Sequence, residues 1–299
     1  MAKAEVKTTE SKSLWQDSWE RFKKNKTAMA SGFFIVAVSL LSIFADWVTI
    51  HSFDEQFTDQ VLIGPSLDHW LGTDDLGRDM YSRLIYGGRM SLAVGVLTAL
   101  IALVVGTFYG SIAGWVGGKV ESFMMRAVDI IDSIPYLVLL ILVKIFFDEF
   151  NFIDNPEMRA LSSMVLALST VSWITLARVV RGKVLQEKEA LYVEAARSLG
   201  ASSPKILLRH ILPNMLGQII VILTLLIPQN ILFESILSFI GLGLQPPFSS
   251  WGVLANNGWK TIQSYPHLII FPGILLSCTV LAFNLLGDGL RDAFDPKMK

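Results

Sequence analysis

The sequence predicts an all-α membrane protein with six transmembrane helices. Three observations carry this. Apolar residues make up 52% of the 299 residues and charged ones only 17%, with a mean hydropathy of +0.51. Apolar runs of spanning length recur along the chain, and the basic residues gather in alternate polar stretches between them. A hydrocarbon core of about 30 Å needs roughly 20 apolar residues in a helix, which satisfies its own backbone hydrogen bonds. A net charge of −1 offers no footprint for nucleic acid. The single cysteine, Cys278, lies in an apolar run, so neither an intrachain disulfide nor a redox motif is available.

Residues 1–27 are expected to form a cytoplasmic segment. Within SLWQDSWERFKKNK, Trp15, Trp19 and Phe22 share one helical face, with Arg21, Lys23, Lys24 and Lys26 beside them, and Ser13 with Gln16 fits a capping box. This pattern favours an amphipathic helix lying on the inner leaflet over a disordered basic tail. The segment lacks the short apolar run and small-residue cleavage site of a removable signal, so the first span, residues 28–50, is expected to be retained.

The loop 51–88 carries seven acidic residues and is too long for a simple connector, which predicts a folded or functional element. Asp74, Asp75, Arg78, Asp79 and Arg83 read as a salt-bridge network bracing the chain's entry into the next span, or as a contact surface for another protein. Bracing is favoured because the segment runs directly into the second span, residues 89–117. There Gly106, Gly110, Gly114 and Gly118 recur every fourth residue, the spacing of a close helix-packing seam.

The third span, residues 120–147, has Asp129, Asp132 and Pro135 crowding its first half. Ionisable groups in a span are costly and point to function. The two aspartates are expected to pair with Arg126 or to face a watery cavity, and Lys144 to reach toward the outer headgroups. The fourth span is 160–181. The fifth, 215–240, holds Pro228, Gln229, Asn230 and Glu234, which predict a kinked helix. Asn230 and Glu234 would then face a pathway or a partner, or close a local helix-end network. The loop 241–266, with Pro246, Pro247 and Trp251, is expected to be a structured outer element whose aromatics suit an interfacial belt. The sixth span, 267–288, precedes a short tail, 290–299.

Charge sets the orientation. With the N-terminus in the cytoplasm, nineteen of the twenty-five Lys and Arg fall on the inside. Both termini are therefore expected to be cytoplasmic, which also places 183–213 there. Residues 183–199, KVLQEKEALYVEAARSL, lack Gly and Pro and predict one helix. Gly200 suits a left-handed cap, and Ser203-Pro204 would start a second helix that stops near Pro213. The resulting bend would present Ala195, Ala196, Gly200 and Ala201 as a compact knob, with Glu194 and Arg197 for polar contacts. Spacing alone does not separate such a knob from an amphipathic connector on the membrane surface.

Glu194-Ala195-Ala196, Gly200 and Leu212-Pro213 resemble the EAA loop of membrane subunits of binding-protein-dependent ABC importers. His210 departs from the general pattern, which has an apolar residue there, although RHILPN looks like the peptide-permease form. GTDDLGRDMYSRLIYGGRMSL (72–92), ILFESILSFIGLGLQPPFSSWGVL (231–254) and NLLGDGLRDAFDPK (284–297) are similar to C-type subunits of oligopeptide and dipeptide permeases. SLWQDSWERFKKNK and YGSIAGWVGGKVESFMMR (109–126) look more like the oligopeptide subunit.

The resemblance implies one peripheral N-terminal helix plus a five-helix type I permease core, residues 89–289, in the cytoplasmic (inner) membrane. It implies a homologous B-type membrane subunit, two ATPase subunits that hold ATP and magnesium, and an extracytoplasmic peptide-binding protein. It also implies an ATPase groove for the loop 183–213. This chain would carry no catalytic residue, metal or cofactor of its own. Gly118-Lys119 and Gly182-Lys183 lack the preceding glycine of a phosphate loop, and the four histidines have no metal-ligand spacing. Dipeptides, nickel chelates and haem-like cargo are alternatives within the class. A lone gradient-driven transporter would use the intramembrane acids, but the two halves show no inverted repeat.

Overall fold

The computed structural model describes residues 14–149 and 153–294. Among these the chain is helical and contains no strand, only a lone bridge between Thr73 and Asp79. The helices are α1 (Leu14–Lys24), α2 (Lys26–Ile43), α3 (Ala45–Val48), α4 (Met80–Val116), α5 (Gly118–Asp132), α6 (Tyr136–Glu149) and α7 (Pro156–Glu187). After these come α8 (Leu191–Ser198), α9 (Ser203–Ile206), α10 (Leu212–Leu237), α11 (Trp251–Lys260) and α12 (His267–Phe294). Helices α2, α4, α7, α12 and the continuous helical stretch Ser203–Leu242 are each long and apolar enough to cross a membrane.

The expected third span, residues 120–147, is not a straight helix: α5 and α6 meet at an 88° bend. Pro135 supplies the reason. It lacks an N–H and its ring biases Ile134 away from helical geometry, so the helix stops at Asp132. Local bonds close the break, with Ser133 N–H donating to the Asp129 carbonyl at 2.9 Å and its hydroxyl to the Ile130 carbonyl at 2.7 Å.

Other spans run longer than hydropathy suggests, because caps rather than apolar runs set their ends. Helix α4 begins at Met80, where the Asp79 carboxylate accepts from both Ser82 N–H and Ser82 Oγ at 2.7 Å. Asn155 caps α7 through Glu157 and Met158 N–H, with Pro156 in the first turn. At the other end of the chain, Ser13 and the Trp15 side chain lie outside the described residues. Phe22 on α1 is buried against Ala28 and Ala293, which docks α1 on α12, while Trp19 stacks on Phe22 at 5.7 Å and remains exposed.

The central contact is α4 against α7, parallel and in backbone proximity. A Cβ on Gly106 would lie 2.8 Å from the Trp173 carbonyl, on Gly110 2.4 Å from that of Ala177, and on Gly114 2.7 Å from that of Arg181. Each step of four on α4 thus meets a step of four on α7, the geometry that only small residues permit. Gly118 lies beyond the seam. Helix α10 packs on α4, α7 and α12; α2 packs on α12 and α4; α6 packs on α7.

Helix α11 packs mainly on α12 and also touches α4 and α10. Trp251 is fully buried, with Nε1 donating to the Leu84 carbonyl at 3.1 Å and its backbone N–H to Ser91 Oγ at 3.2 Å. It is a core anchor and not part of an interfacial belt, whereas Trp259 is exposed.

Gly110→Ala should destabilise the protein by about 1–3 kcal/mol through overpacking. The exposed helical Gly182, with nothing near its Cβ position, should accept alanine neutrally or gain up to about 1 kcal/mol. Melting of both variants in detergent checks the contrast, and an unchanged Gly110→Ala protein contradicts the seam.

Candidate functional site

Between α7 and α10 the chain makes a bent pair of short helices. The single helix expected over 183–199 is interrupted: α7 ends at Glu187, and an extended Ala190 precedes α8. No Gly or Pro marks this break. It falls where Lys188 turns back to donate from Nζ to the Trp115 carbonyl at 2.5 Å.

Helix α8 ends in a Schellman motif. Ala201 N–H donates to the Ala196 carbonyl at 3.0 Å and Gly200 N–H to that of Arg197 at 2.9 Å. Gly200 has φ +81° with nothing within 4 Å of a Cβ, so conformation and not crowding selects glycine there. Ser202, extended, occupies the cap position expected for Ser203, and Pro204 sits in the first turn of α9. The second helix does not stop near Pro213. A π-helical turn, Leu207–Ile211, carries it into α10, and this wider turn accommodates a proline that lacks an N–H.

This pair has two faces. Val193, Ile206 and Ile211 are buried with Val180 and Val184 of α7, and Ala196 and Ala201 pack against them. Glu194 and Ala195 are exposed, as are Leu191 at 83% and Leu199 at 88%. Those two leucines escaped the sequence reading; apolar residues left over in a polar loop were their only signal. The Tyr192 phenol donates to Glu187 at 2.8 Å, and burial followed by this bond pushes it up to about 12.

Arg197 is turned toward the chain's own α4, its guanidinium 5.3 Å from the Trp115 ring centroid. Lys188 Nζ lies 5.8 Å from the same ring. Nearby, Arg181 Nε donates to Glu121 at 2.6 Å, which joins α7 to α5.

Asp129 and Asp132 do not pair with Arg126. Arg178 of α7 forks between them, Nη2 to Asp129 and Nη1 to Asp132, each at 2.9 Å. All three are exposed side chains at the α5 end of the break. Asn230 and Glu234 lie inside the chain. Asn230 accepts from Ser172 Oγ at 2.7 Å and donates to the Gly95 carbonyl at 3.4 Å, tying α4, α7 and α10 together. Glu234, 1% exposed, accepts from Ser91 at 3.1 Å, Ser235 at 3.3 Å and Ser238 at 2.7 Å. Lys144 pairs with Asp148 at 2.5 Å with its side chain enclosed, so it does not reach toward headgroups. Long-range partners such as Ser91 and Arg178 could not be matched to these acids from one sequence.

At the N-terminal end of α4, the loop 51–79 closes on itself. Asp74 accepts from Leu76 and Arg78 N–H at 2.9 Å and from Arg78 Nε at 2.8 Å, and Arg83 Nε lies 3.4 Å away. Asp79, besides capping α4, meets His69 Nδ1 at 2.9 Å, and His69 Nε2 meets Gln60 at 2.9 Å. Asp74, Arg78, Asp79 and Arg83 are buried; Asp75 is exposed at the rim. Among the described residues, no three His, Cys, Asp or Glu side chains converge on a metal position.

Asp74→Ala should destabilise the protein by about 3–5 kcal/mol, because it strands two buried guanidiniums. Asp75→Ala should stay within about 0.5 kcal/mol. Equal melting temperatures for the two variants would contradict the bracing network.

Residues 106–299 match the family described as binding-protein-dependent transport system inner membrane component. Residues 13–65 match the N-terminal TM domain of oligopeptide transport permease C. The chain is 43% identical over 288 residues to the dipeptide transport system permease protein DppC of Bacillus subtilis (strain 168), covering 96% of this chain and 87% of that one. It is 43% identical over 290 residues to the oligopeptide transport system permease protein OppC of Escherichia coli (strain K12), covering 96% and 93%. A solved structure of the MetNI methionine ABC transporter in inward-facing conformations superposes with a TM-score of 0.60 at 19% identity, over 72% of this chain and 97% of that one. That likeness concerns the fold.

Proposed function

The chain belongs to the family of binding-protein-dependent transport system inner membrane components, and from this premise we propose that it is the C-type permease subunit of an ATP-driven importer of oligopeptides. It is a transport subunit and not an enzyme. The observation that carries the finer reading is the bent α8–α9 pair, which buries one face on α7 and leaves Glu194, Ala195, Leu191 and Leu199 uncovered. A partly apolar surface on a rigid base suits a groove in a separate protein.

In this reading the occupied groove belongs to one of two ATPase subunits, which bind ATP and magnesium. A B-type membrane subunit completes the pathway, and an extracytoplasmic binding protein delivers the peptide. Both termini are cytoplasmic, as the basic residues favour. Closure of the ATPases displaces α8; α7 follows through the shared core, and α4 moves with α7 because their backbones are in contact. At the α5–α6 break, Asp129, Asp132 and Arg178 are solvated groups that can exchange partners at little cost, which suits a gate. Asn230 and Glu234 serve as inner fastenings of the moving helices, and Asp74, Arg78, Asp79 and Arg83 brace the outer end.

The match of residues 13–65 to an oligopeptide permease segment supports oligopeptides as cargo. Dipeptides are the second reading, supported by the 43% identity to a dipeptide permease.

Glu194→Lys and Gly200→Val should each leave the subunit in the membrane but lower cellular uptake of labelled alanine peptides of two to five residues. A loss of roughly tenfold corresponds to about 1.4 kcal/mol removed from the contact. Wild-type uptake by both variants would overturn the assignment of α8 to coupling. The ratio of tetrapeptide to dipeptide uptake separates the two cargo readings.

A further inference from the structure

One aromatic residue fastens the end of α4 to the residues that flank α8, Lys188 at the cap of α7 and Arg197 in the last turn of α8. The Trp115 carbonyl accepts from Lys188 Nζ at 2.5 Å, and its ring lies 5.8 Å from that ammonium and 5.3 Å from the Arg197 guanidinium. Lys188 caps α7 three residues before α8, and Arg197 stands in the last turn of α8. The indole also packs against the apolar cluster that contains Val193 and Ile206. Directly beyond Trp115 the chain turns a corner through Gly117 and Gly118, at φ +72° and +58°, into α5.

The chemistry of this contact suits a moving joint. A hydrogen bond is lost beyond about 3.5 Å, whereas attraction of a cation to a ring face persists to about 6 Å and tolerates sliding across the face. With the cations already 5.8 and 5.3 Å from the centroid, what they tolerate is sliding across the ring and not separation from it. The alternative route from α8 to α4 runs through α7 and the glycine seam, which is rigid but indirect.

We propose that Trp115 is a positioning residue of the transport cycle: gripped by Lys188 and Arg197, it passes displacement of α8 directly to α4 and to the α4–α5 corner. This rests on the reading of α8 as the coupling element. Losing the ring leaves only the indirect route through α7, so displacement of α8 reaches α4 and the α4–α5 corner less completely and ATP turnover is less well matched by peptide movement. The expected signature is a fall in peptide moved per ATP hydrolysed, which a merely structural role would not produce.

The test uses the whole complex, purified with its partner subunits and reconstituted in liposomes, with labelled tri-alanine as cargo. Trp115→Leu should lower tri-alanine moved per ATP about fivefold, while Trp115→Phe, which keeps a ring face, should stay within about twofold of wild type. The double variant K188M/R197M leaves the indole in place and should reproduce the loss with an unchanged melting temperature. Wild-type stoichiometry in Trp115→Leu overturns the proposal. If that variant does not assemble, wild-type stoichiometry in K188M/R197M overturns it equally. Glu194→Lys, run in parallel, separates the two readings. If it uncouples while the Trp115 and Lys188/Arg197 variants do not, only the Trp115 grip falls. If it transports normally, the coupling reading falls as well.

Discussion

The structure depends on backbone contact between α4 and α7. Lipid tails are as apolar as the helix surfaces, so nothing resembling a hydrophobic effect drives helices together within the bilayer. Close packing must do so, and Gly106, Gly110 and Gly114 make it possible by presenting bare backbone to Trp173, Ala177 and Arg181. Once these two long helices are joined, the remaining elements have a fixed surface on which to assemble. Helix α10 is located by Asn230, which reaches both Ser172 on α7 and Gly95 on α4. Helix α11 is located by Trp251, bonded to Leu84 and Ser91 along α4.

The charges are distributed unevenly along this frame. At the start of α4, Asp74, Arg78, Asp79 and Arg83 are enclosed, and breaking such a network costs several kcal/mol. Toward the other end, Arg178 with Asp129 and Asp132, and Arg181 with Glu121, are partly or largely solvated. Ion pairs in solvent are worth at most about 1 kcal/mol and rearrange readily. The loop is therefore held firmly where it closes over α4, whereas the ion pairs that join α5 to α7 can rearrange.

The membrane class, five of the long helices and the bend at Gly200 were legible in the sequence, because each follows from local chemistry. Hydrophobic length, four-residue glycine spacing and the conformational freedom of one glycine need no knowledge of distant contacts. Three features were not legible. The α7–α8 break has no Gly or Pro and coincides with a lysine bonded to a carbonyl seventy-three positions away. The Asp129–Arg178–Asp132 fork joins residues on two helices, so Arg126, nearer in sequence, looked the better partner. Trp251, placed in a belt by its aromatic character, is instead the largest fully buried side chain among the described residues.

By itself the sequence determined which segments leave water, which small residues line a seam, and where the polar Glu189–Asn214 stretch bends. Those properties reside in single residues and their near neighbours. The tertiary structure decided which face of that stretch is covered and which charges are paired. It turned Arg197 inward onto Trp115 and left Glu194, Leu191 and Leu199 outside. The physical reason is that burial and pairing belong to two surfaces brought together, and a sequence specifies only one surface at a time.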